Sequence, residues 1–236
     1  MAYNLVMQNL PTADTYQKEV KYMPWGILVS EIIDYVTKNV PEDSSVVDLL
    51  CGTGNLITEI QKLRPDIKFV GVDLEGEYIE YARLQNPKAE FITADVLVWE
   101  SEVKFDAVLC TGGLHHLPYD RQKEFIKKIS NLVRKDGFAI VGDPYIDSYT
   151  NETERKVSVA RLGFEYLIAT IKNGAPDDVI KATSSLTDND VFLVEFKDSL
   201  KNVELYFKDV FSYVEKHKTW PTVESEYGDY YFILRI

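Results

Sequence analysis

Short apolar runs alternate with longer amphipathic segments through the centre of the chain. Between Asp120 and Arg134, for example, Phe125, Ile126 and Ile129 recur at helical spacing and define one apolar face. The alternation predicts a parallel sheet with right-handed crossovers and helices on both faces. The short runs are typical of buried strands and lie at 44–50, 67–74, 89–95, 104–112 and 138–146.

The pattern differs on both sides of this central part. Pro24-Trp25-Gly26 leads into a helical segment before the first strand, and Asp136-Gly137 is expected to end the helix before the fifth. Two apolar runs at 211–223 and 229–236, joined by a short polar stretch, predict a closing antiparallel hairpin. The segments expected to be helical between the fifth strand and this hairpin are 150–173, 187–196 and 201–211.

Composition supports one α/β domain with an appendage. The chain has 236 residues, which is long for one simple domain and short for two, and 45% are hydrophobic. No run of about eighteen apolar residues predicts a membrane span. The N-terminal segment lacks the basic head and apolar run of a signal peptide. We therefore expect a cytoplasmic protein with no membrane partner.

Charge and cysteine content narrow the range of partners. Lys and Arg total 26 against 38 Asp and Glu, a net charge of −12 with no cationic cluster. Because such a surface repels a phosphate backbone, nucleic acid is not an expected partner. Cys51 and Cys110 lie far apart and form no CxxC motif, which argues against a disulfide framework and a zinc site.

Candidate ligand-binding residues follow four of the predicted strands. In an open parallel sheet, ligands bind at the carboxyl ends of the strands, near the point where strand order reverses. Gly52 and Gly54 would let the backbone turn tightly after the first strand and approach a ligand. Asp73, at the end of the second strand, suits the two hydroxyls of a ribose. Asp95 and Cys110 end the third and fourth strands, so the four positions suit a nucleoside lying across the sheet.

Two classes of nucleoside cofactor compete for such a site. A dinucleotide site needs a third glycine for close packing of helix on strand, and Ile57 stands at that position. The carboxylate of Asp95 also has no standard role toward a dinucleotide. The residues therefore disfavour a nicotinamide-dependent dehydrogenase.

Five motifs in sequence order resemble those of class I S-adenosylmethionine-dependent methyltransferases: VVDLLCGTG, VGVDL, FITADV, FDAVLCTGGLHHLP and LVRKDGFAIV. The likeness covers roughly 44–146, and the terminal hairpin resembles the sixth and seventh strands of that family. It is specific for the family but not for the substrate. Leu50 departs from the pattern, because the family often has a glycine there.

The resemblance implies a single Rossmann-like domain over 1–236. Its seven-stranded, mostly parallel sheet would carry helices on both faces and end in an antiparallel hairpin. The implied parts are an N-terminal lid and helix (1–43), a cofactor-binding core (44–146), a helical substrate-side insertion after the fifth strand (147–210) and the closing hairpin (211–236).

The resemblance also implies contacts to S-adenosylmethionine. Asp48 and the backbone of the CGTG loop would hold the methionyl part, and Asp73 the ribose. Leu74 would pack on the adenine, Asp95 would accept from its amino group, and Cys110 would line the floor under the sulfonium. The implied cofactor-binding residues are Asp48, Cys51, Gly52, Thr53, Gly54, Asp73, Leu74, Asp95, Val96 and Cys110.

Three of these residues have a plainer interpretation. Asp48 could cap the following helix, Asp95 could be a turn residue, and Cys110 could belong to the core.

The family places the methyl acceptor beyond the fourth and fifth strands, under a lid. Aromatic residues near that end suit an apolar or aromatic acceptor. Asp143-Pro144-Tyr145 follows the fifth strand and has one proline, so it does not match the motif of amide-nitrogen methyltransferases. The fourth strand carries no carboxylate for a catechol-type metal, so we predict none. The candidate acceptor-binding residues are Tyr16, Tyr22, Trp25 and Tyr145, with Tyr3 in the same N-terminal segment.

Two adjacent histidines, His115 and His116, follow the fourth strand. If this stretch is extended, neighbouring side chains point apart, and no other ligand is near in sequence, so a metal pair is not expected. We predict that His115 faces the acceptor, to orient it or accept its proton, with His116 as the reserve. Both could instead be structural.

The sequence thus predicts methyl transfer from S-adenosylmethionine to a small-molecule acceptor, on oxygen, nitrogen or an activated carbon, as in secondary metabolism. Two alternatives stay open: methylation of a protein or RNA, and a cofactor-binding protein whose activity is lost or redirected. The oligomeric state is open between monomer and homodimer.

Overall fold

A computed structural model describes residues 11–192 and 195–236. Residues 1–10, which include Tyr3 and the start of the predicted lid, lie outside the described part. The described strands form one seven-stranded sheet. They are β1 (Ser45–Leu49), β2 (Lys68–Asp73), β3 (Glu90–Thr93), β4 (Phe105–Thr111), β5 (Val133–Tyr145), β6 (Tyr213–Trp220) and β7 (Gly228–Arg235).

Eight α-helices and one short 3₁₀ turn at Leu114–His116 occupy the described part of the chain. None of these helices is both long and apolar enough to cross a membrane. The helices are α1 (Ala13–Tyr22), α2 (Trp25–Asn39), α3 (Asn55–Leu63), α4 (Gly76–Gln85), α5 (Tyr119–Leu132), α6 (Glu152–Lys172), α7 (Asp177–Val191) and α8 (Leu200–Val210).

The sheet has the strand order β3-β2-β1-β4-β5-β7-β6. Strands β1 to β5 run parallel, and β7 pairs antiparallel with both β5 and β6. This confirms the predicted Rossmann-like sheet and its antiparallel hairpin. Strand order reverses between β1 and β4, so the carboxyl ends of these two strands border the crevice in which such sheets bind ligands.

Two apolar cores lie on opposite faces of the sheet, as predicted. Neighbouring strand residues point to opposite faces, so Val46 packs in one core and Val47 in the other. Helices α2, α3 and α4 cover the face of Val46, whereas α5 and α8 cover the face of Val47. Strands buried on both faces are expected to be continuous apolar runs, which is what the sequence shows.

Some element boundaries differ from the prediction. Strand β5 begins at Val133, so Asp136-Gly137 does not separate helix from strand. A Cβ on Gly137 would stand 2.6 Å from the carbonyl oxygen of Asp106, so this glycine permits close approach to β4. Helix α7 ends at Val191 and does not fill the predicted segment 187–196.

Helix α8 and helix α2 belong to the layers that cover the sheet. Leu200, Val203 and Phe207 of α8 are buried in the same core as α5. The predicted insertion 147–210 therefore divides into α6 and α7, which stand over the strand ends, and α8, which does not. Similarly, α2 buries Leu28 and Ile32 beneath the sheet, so that within the described residues 11–43 only α1 remains in the position of a lid.

Candidate active site

The loop after β1 makes a tight turn through three left-handed residues. Leu50, Gly52 and Gly54 have φ values of 60°, 53° and 70°. A Cβ on Gly54 would stand 2.7 Å from the ring of Phe91, so that position admits only glycine without movement of the ring. The backbone then enters α3 at Asn55, with its first N–H groups at the edge of the crevice.

Leu50 adopts the backbone conformation that glycine tolerates best, which explains why a glycine is common there in the resembling family. A non-glycine residue in the left-handed region costs about 1 kcal/mol or more. The side chain of Leu50 packs against the core under β4. A Cβ on Gly113 would lie 2.7 Å from the Cβ of Leu50. Gly113 therefore leaves the space that the Leu50 side chain fills.

Asp73 ties the ends of β1 and β2 together. Its Oδ2 accepts a hydrogen bond from the Gly52 N–H at 2.7 Å, and its Oδ1 accepts from the Glu75 N–H at 2.9 Å. Each oxygen still has a lone pair for a ligand hydroxyl. Burial raises the pKa of Asp73 despite these two hydrogen bonds.

Asp48 is a buried carboxyl group that lacks a full set of partners. The residue is 2% exposed, and its Oδ1 has no hydrogen-bond partner among residues 11–192 and 195–236. Burial, and then the negative charge of Asp73, raises the pKa of Asp48 to about 8. Helix α3 has Gly54 as its N-cap, so Asp48 does not cap it. An unpaired buried carboxyl is costly and suits a cationic or hydrogen-bond-donating ligand group.

The other predicted cofactor residues lie around the crevice with different surroundings. Leu74 is 54% exposed directly after β2. Asp95 accepts a hydrogen bond from the Leu97 N–H at 2.8 Å, so it also has the alternative role of a turn residue. Val96 is buried. Cys110 is wholly buried in the core on the α5 side, which fits the alternative that it is a core residue.

Helix α1 lies across the loop after β1. The Gln17 side-chain amide donates to the Thr53 hydroxyl at 2.7 Å, and the Tyr78 hydroxyl donates to the carbonyl of Pro11 at 2.6 Å. The Tyr16 ring lies beside Gly52 and also against the ring of Trp25. Helix α1 thus contacts the predicted cofactor loop on one side and the cavity described next on the other.

A cavity of about 380 Å³ lies beyond the carboxyl ends of β4 and β5. Gly112 and Pro144 form its floor, and α1, the start of α2, α6 and α7 form its walls. The lining includes both apolar or aromatic side chains and ionisable groups. The apolar or aromatic side chains include Tyr16, Met23, Trp25, Leu28, Leu162 and Leu186, and the ionisable groups include Glu19, His115, His116, Asp190, Glu195 and Lys197.

Two of the four predicted acceptor-binding residues line this cavity, and two do not. Tyr16 and Trp25 are on its wall. Tyr145 is 1% exposed and packs in the core against Phe232, because alternate residues of β5 point to opposite faces and Pro144 is the one that lines the cavity. Tyr22 packs against the cluster beneath α6 and does not line the cavity either.

His115 and His116 are not in an extended stretch. They lie in the 3₁₀ turn, where their ring centroids are 4.2 Å apart, and both line the cavity. The expectation that neighbouring rings point apart is therefore wrong. No other ligand is near in sequence, as expected, but the fold brings Glu195 Oε2 to 3.6 Å from His115 Nε2. The prediction of no metal loses this part of its basis.

His115 is fixed by Asp143. The backbone N–H of His115 donates to Asp143 Oδ2 at 3.0 Å, and the ring Nδ1 lies 2.8 Å from Oδ1. Burial, and then the positive charge of Lys197, lowers the pKa of His115 to about 3, whereas burial raises that of Asp143 to about 7. The imidazole is therefore neutral near pH 7, and its contact with Asp143 is a hydrogen bond between a neutral ring and a carboxyl group.

A buried ion-pair group stands behind the histidines. Lys197 Nζ lies 2.8 Å from Glu195 Oε2 and 2.9 Å from Asp190 Oδ1, and all three side chains are buried. Sequence reasoning missed these residues, since Asp190 lies in the last turn of α7 and Glu195 and Lys197 follow that helix, far from the histidines in the chain. The charged residues within the apolar run VFLVEFK were the one available signal.

Comparisons with known proteins agree with this architecture. Residues 46–137 match a family model described as a methyltransferase domain. The chain is 30% identical over 126 residues to carboxy-S-adenosyl-L-methionine synthase of Campylobacter curvus, which covers 51% of this chain and 52% of that protein. It is 28% identical over 125 residues to tRNA (carboxymethyluridine(34)-5-O)-methyltransferase of Saccharomyces cerevisiae, covering 52% and 42%. The chain thus spans about half the length of these curated relatives.

The plantazolicin methyltransferase BpumL, solved with a triazolic desmethylPZN analogue and SAH, has a similar fold. The TM-score is 0.64 at 12% identity, over 95% of this chain and 89% of that one. The sheet order and the crevice at the end of β1 thus define a Rossmann-like methyltransferase fold. Together with the match of residues 46–137 to the methyltransferase-domain model, they agree with the resemblance of the motifs to class I S-adenosylmethionine-dependent methyltransferases.

Proposed function

We propose that this protein transfers a methyl group from S-adenosylmethionine to a small molecule bound in the cavity beyond β4 and β5. The cavity itself is the observation that supports the acceptor class. Its volume of about 380 Å³ is within the usual range of small-ligand sites. A macromolecular substrate would have to present a protruding group that fits this volume.

The crevice fits the cofactor at two points that do not depend on the family. The unpaired Oδ1 of Asp48 suits the ammonium group of a methionyl moiety. Both oxygens of Asp73 retain a lone pair toward the crevice, which suits a pair of ribose hydroxyls. The remaining cofactor contacts are carried by Cys51, Gly52, Thr53, Gly54, Leu74, Asp95 and Val96 in this proposal.

The chain's own residues would mainly position the acceptor and exclude water from the reacting atoms. A methyl sulfonium is already activated, so in-line displacement depends on holding the acceptor atom at the right place and excluding water. Tyr16 and Trp25 would hold the acceptor's apolar part. His115, neutral and fixed by Asp143, would orient the acceptor or take its proton, with His116 beside it.

The test is transfer of label from methyl-tritiated S-adenosylmethionine into a metabolite extract, followed by mass identification of the product. Label in a small-molecule fraction supports the proposal. Label confined to RNA or protein fractions would instead support methylation of a macromolecule, for which the yeast tRNA methyltransferase is a relative. The net charge of −12 weighs against that second outcome.

A redirected activity is the second candidate, and similarity to the carboxy-S-adenosyl-L-methionine synthase favours it. By its name, that relative makes a carboxylated form of the cofactor. Mass analysis of the cofactor after incubation with the extract separates the two: a modified cofactor without methyl transfer would establish the second candidate and exclude the first.

Replacing His115 tests its assignment. His115→Ala should lower kcat by about 10²-fold, the scale of a lost acid–base or orienting group, and leave the dissociation constant of S-adenosylhomocysteine nearly unchanged. The matched control is His217→Ala on β6, outside the cavity. A loss of S-adenosylhomocysteine affinity with unchanged kcat would contradict the role.

A further inference from the structure

Three potential metal ligands lie close together in the lining of the cavity. His115, His116 and Glu195 each offer one ligand atom, and these atoms lie within 4.8 Å of one another. Ligand atoms that share a tetrahedral zinc ion stand about 3.4 Å apart, given metal–ligand bonds of about 2.1 Å. The pair His115 Nε2 and Glu195 Oε2 is already at 3.6 Å. Small side-chain rotations that move the ligand atoms of His116 and Glu195 by about an ångström would bring all three ligand atoms within bonding distance of one ion.

Lone pairs face one another in this cluster. The two N–H groups of His115, one from the backbone and one from Nδ1, fit the two oxygens of the Asp143 carboxylate. This arrangement leaves a lone pair on Nε2, which faces an oxygen of Glu195 that also carries lone pairs. His116 Nδ1 is buried with no hydrogen-bond partner within 11–192 and 195–236. An ion that accepts electron pairs would satisfy these atoms at once.

The hydrogen bond between His115 and Asp143 is of the kind that metal-binding histidines usually make through the ring nitrogen that does not bind the metal. A carboxylate that accepts from the far ring nitrogen fixes the tautomer and orientation of the ring and makes the ligating nitrogen more basic. Asp143 does this for His115 from β5, the strand next to the one that precedes the histidines.

The charges around the cluster also call for a cation. Asp143, Asp190 and Glu195 offer three carboxylates, and Lys197 offers one ammonium group to Asp190 and Glu195. Arg155, which donates to the carbonyl of Asp190, is already matched by Glu152. With the carboxylates ionised, the buried group has a formal charge of −2, which is costly to bury unless it is compensated.

We propose that His115, His116 and Glu195 bind one divalent transition-metal ion, for which Zn²⁺ is the best match. Two imidazoles and one carboxylate are a common catalytic zinc set, whereas Mg²⁺ and Ca²⁺ prefer oxygen ligands. With His115 Nε2 bound to the ion, the ion and not the ring would orient the acceptor. The ion's remaining positions face the cavity, where, if the proposed function holds, the acceptor would bind through an oxygen, sulfur or nitrogen atom. The metal site itself does not depend on that function.

Metal titration of the full chain tests this proposal. After treatment with a chelator and dialysis, Zn²⁺ is titrated calorimetrically, and Co²⁺ is titrated with its visible absorption as a report of coordination. We expect one ion per chain and an intense low-symmetry Co²⁺ spectrum. His116→Ala and Glu195→Gln should each weaken Zn²⁺ binding at least 100-fold, and Asp143→Asn by about 10- to 100-fold.

His217→Ala is the control, because the third histidine is on β6, away from the cavity, and should leave binding unchanged. Thermal melts and S-adenosylhomocysteine binding check that each variant is folded. If His116→Ala is not folded, His116→Gln, which keeps a polar side chain of similar size, replaces it.

Binding below half an equivalent, or binding equally strong in wild type and in His116→Ala, would overturn the proposal. The cluster would then be a proton-sharing network, or a site for an amine carried by the acceptor. A chain that binds S-adenosylhomocysteine but not Zn²⁺ refutes the metal site alone. One that binds Zn²⁺ but not S-adenosylhomocysteine refutes the proposed function alone.

Discussion

At the scale of single residues, Leu50 and Gly113 form a coupled pair. Leu50 accepts a left-handed backbone that glycine would adopt without cost, and its side chain occupies space that only a glycine at 113 leaves free. The departure of the loop from its family pattern is therefore matched by a small residue on the neighbouring segment. A leucine with a left-handed backbone and a glycine at 113 are thus explained by the same contact.

This pair predicts a specific rescue. Gly113→Ala should lower the free energy of unfolding by about 1–3 kcal/mol, the usual cost of overpacking, because the new methyl group meets the Leu50 Cβ. In a Leu50→Gly background, the same change should cost close to nothing. Chemical denaturation of the four proteins in this double-mutant cycle measures the coupling. Equal costs in both backgrounds would show that the two residues do not meet.

Asp48 predicts proton release on cofactor binding. Its pKa of about 8 leaves it mostly protonated at pH 7 in the free protein, and a bound ammonium group would favour the ionised form. Binding of S-adenosylhomocysteine at pH 7 should therefore release close to one proton, whereas Asp48→Asn should release almost none. Calorimetry in buffers of different ionisation enthalpy counts the protons. Proton uptake, or equal release in the variant, would contradict the assignment.

At the scale of elements, helix α1 connects the loop after β1 with the cavity beyond β4 and β5. It contacts the loop through the Gln17–Thr53 hydrogen bond and the Tyr16 ring beside Gly52, and Tyr16 and Glu19 also line the cavity. Occupation of the loop is thereby linked to the position of a cavity wall.

Gln17→Ala should therefore weaken S-adenosylhomocysteine binding several-fold, as expected from the loss of one hydrogen bond worth about 1 kcal/mol. The exposed Gln85, at the end of α4, provides a matched control in Gln85→Ala. Isothermal calorimetry measures both. If the two variants bind alike, α1 does not hold the loop.

Elements show where sequence reasoning succeeds and where it ends. Strands such as β1 and β4 are predictable because burial on both faces requires uninterrupted apolar residues. The packing of α8 on the sheet was not predictable, since its apolar face could equally serve an insertion. The joint position of His116 and Glu195 was also out of reach, because it depends on a 3₁₀ turn and on the path of the three intervening helices α5, α6 and α7.

At the scale of the whole molecule, buried carboxyl groups shape stability. Glu19, Asp48 and Asp229 each have a pKa of about 8, with burial as the main cause. Asp229 is wholly buried on β7, where it accepts a hydrogen bond from the Tyr166 hydroxyl. Each group binds its proton more tightly in the folded than in the unfolded chain, so at these three groups the folded chain holds more protons between pH 4 and 8.

The free energy of unfolding of the ligand-free protein should therefore fall as pH rises from 6 to 8.5. One unit of pKa shift corresponds to about 1.4 kcal/mol, so even a partial effect is measurable. Asp229→Asn, which can still accept from Tyr166, should flatten the decline. Melting temperatures across this range provide the measurement, and a rising or flat profile for the wild type would contradict the prediction.

The position of β7 has a consequence for biosynthesis. It follows β6 in the chain yet lies between β5 and β6 in the sheet. During translation, the parallel strands β1 to β5 therefore emerge first and keep the open edge of β5 exposed until β7 leaves the ribosome. An exposed apolar edge is a template for pairing with other chains. Nascent chains stalled before residue 228 are expected to need chaperone protection that the finished chain does not.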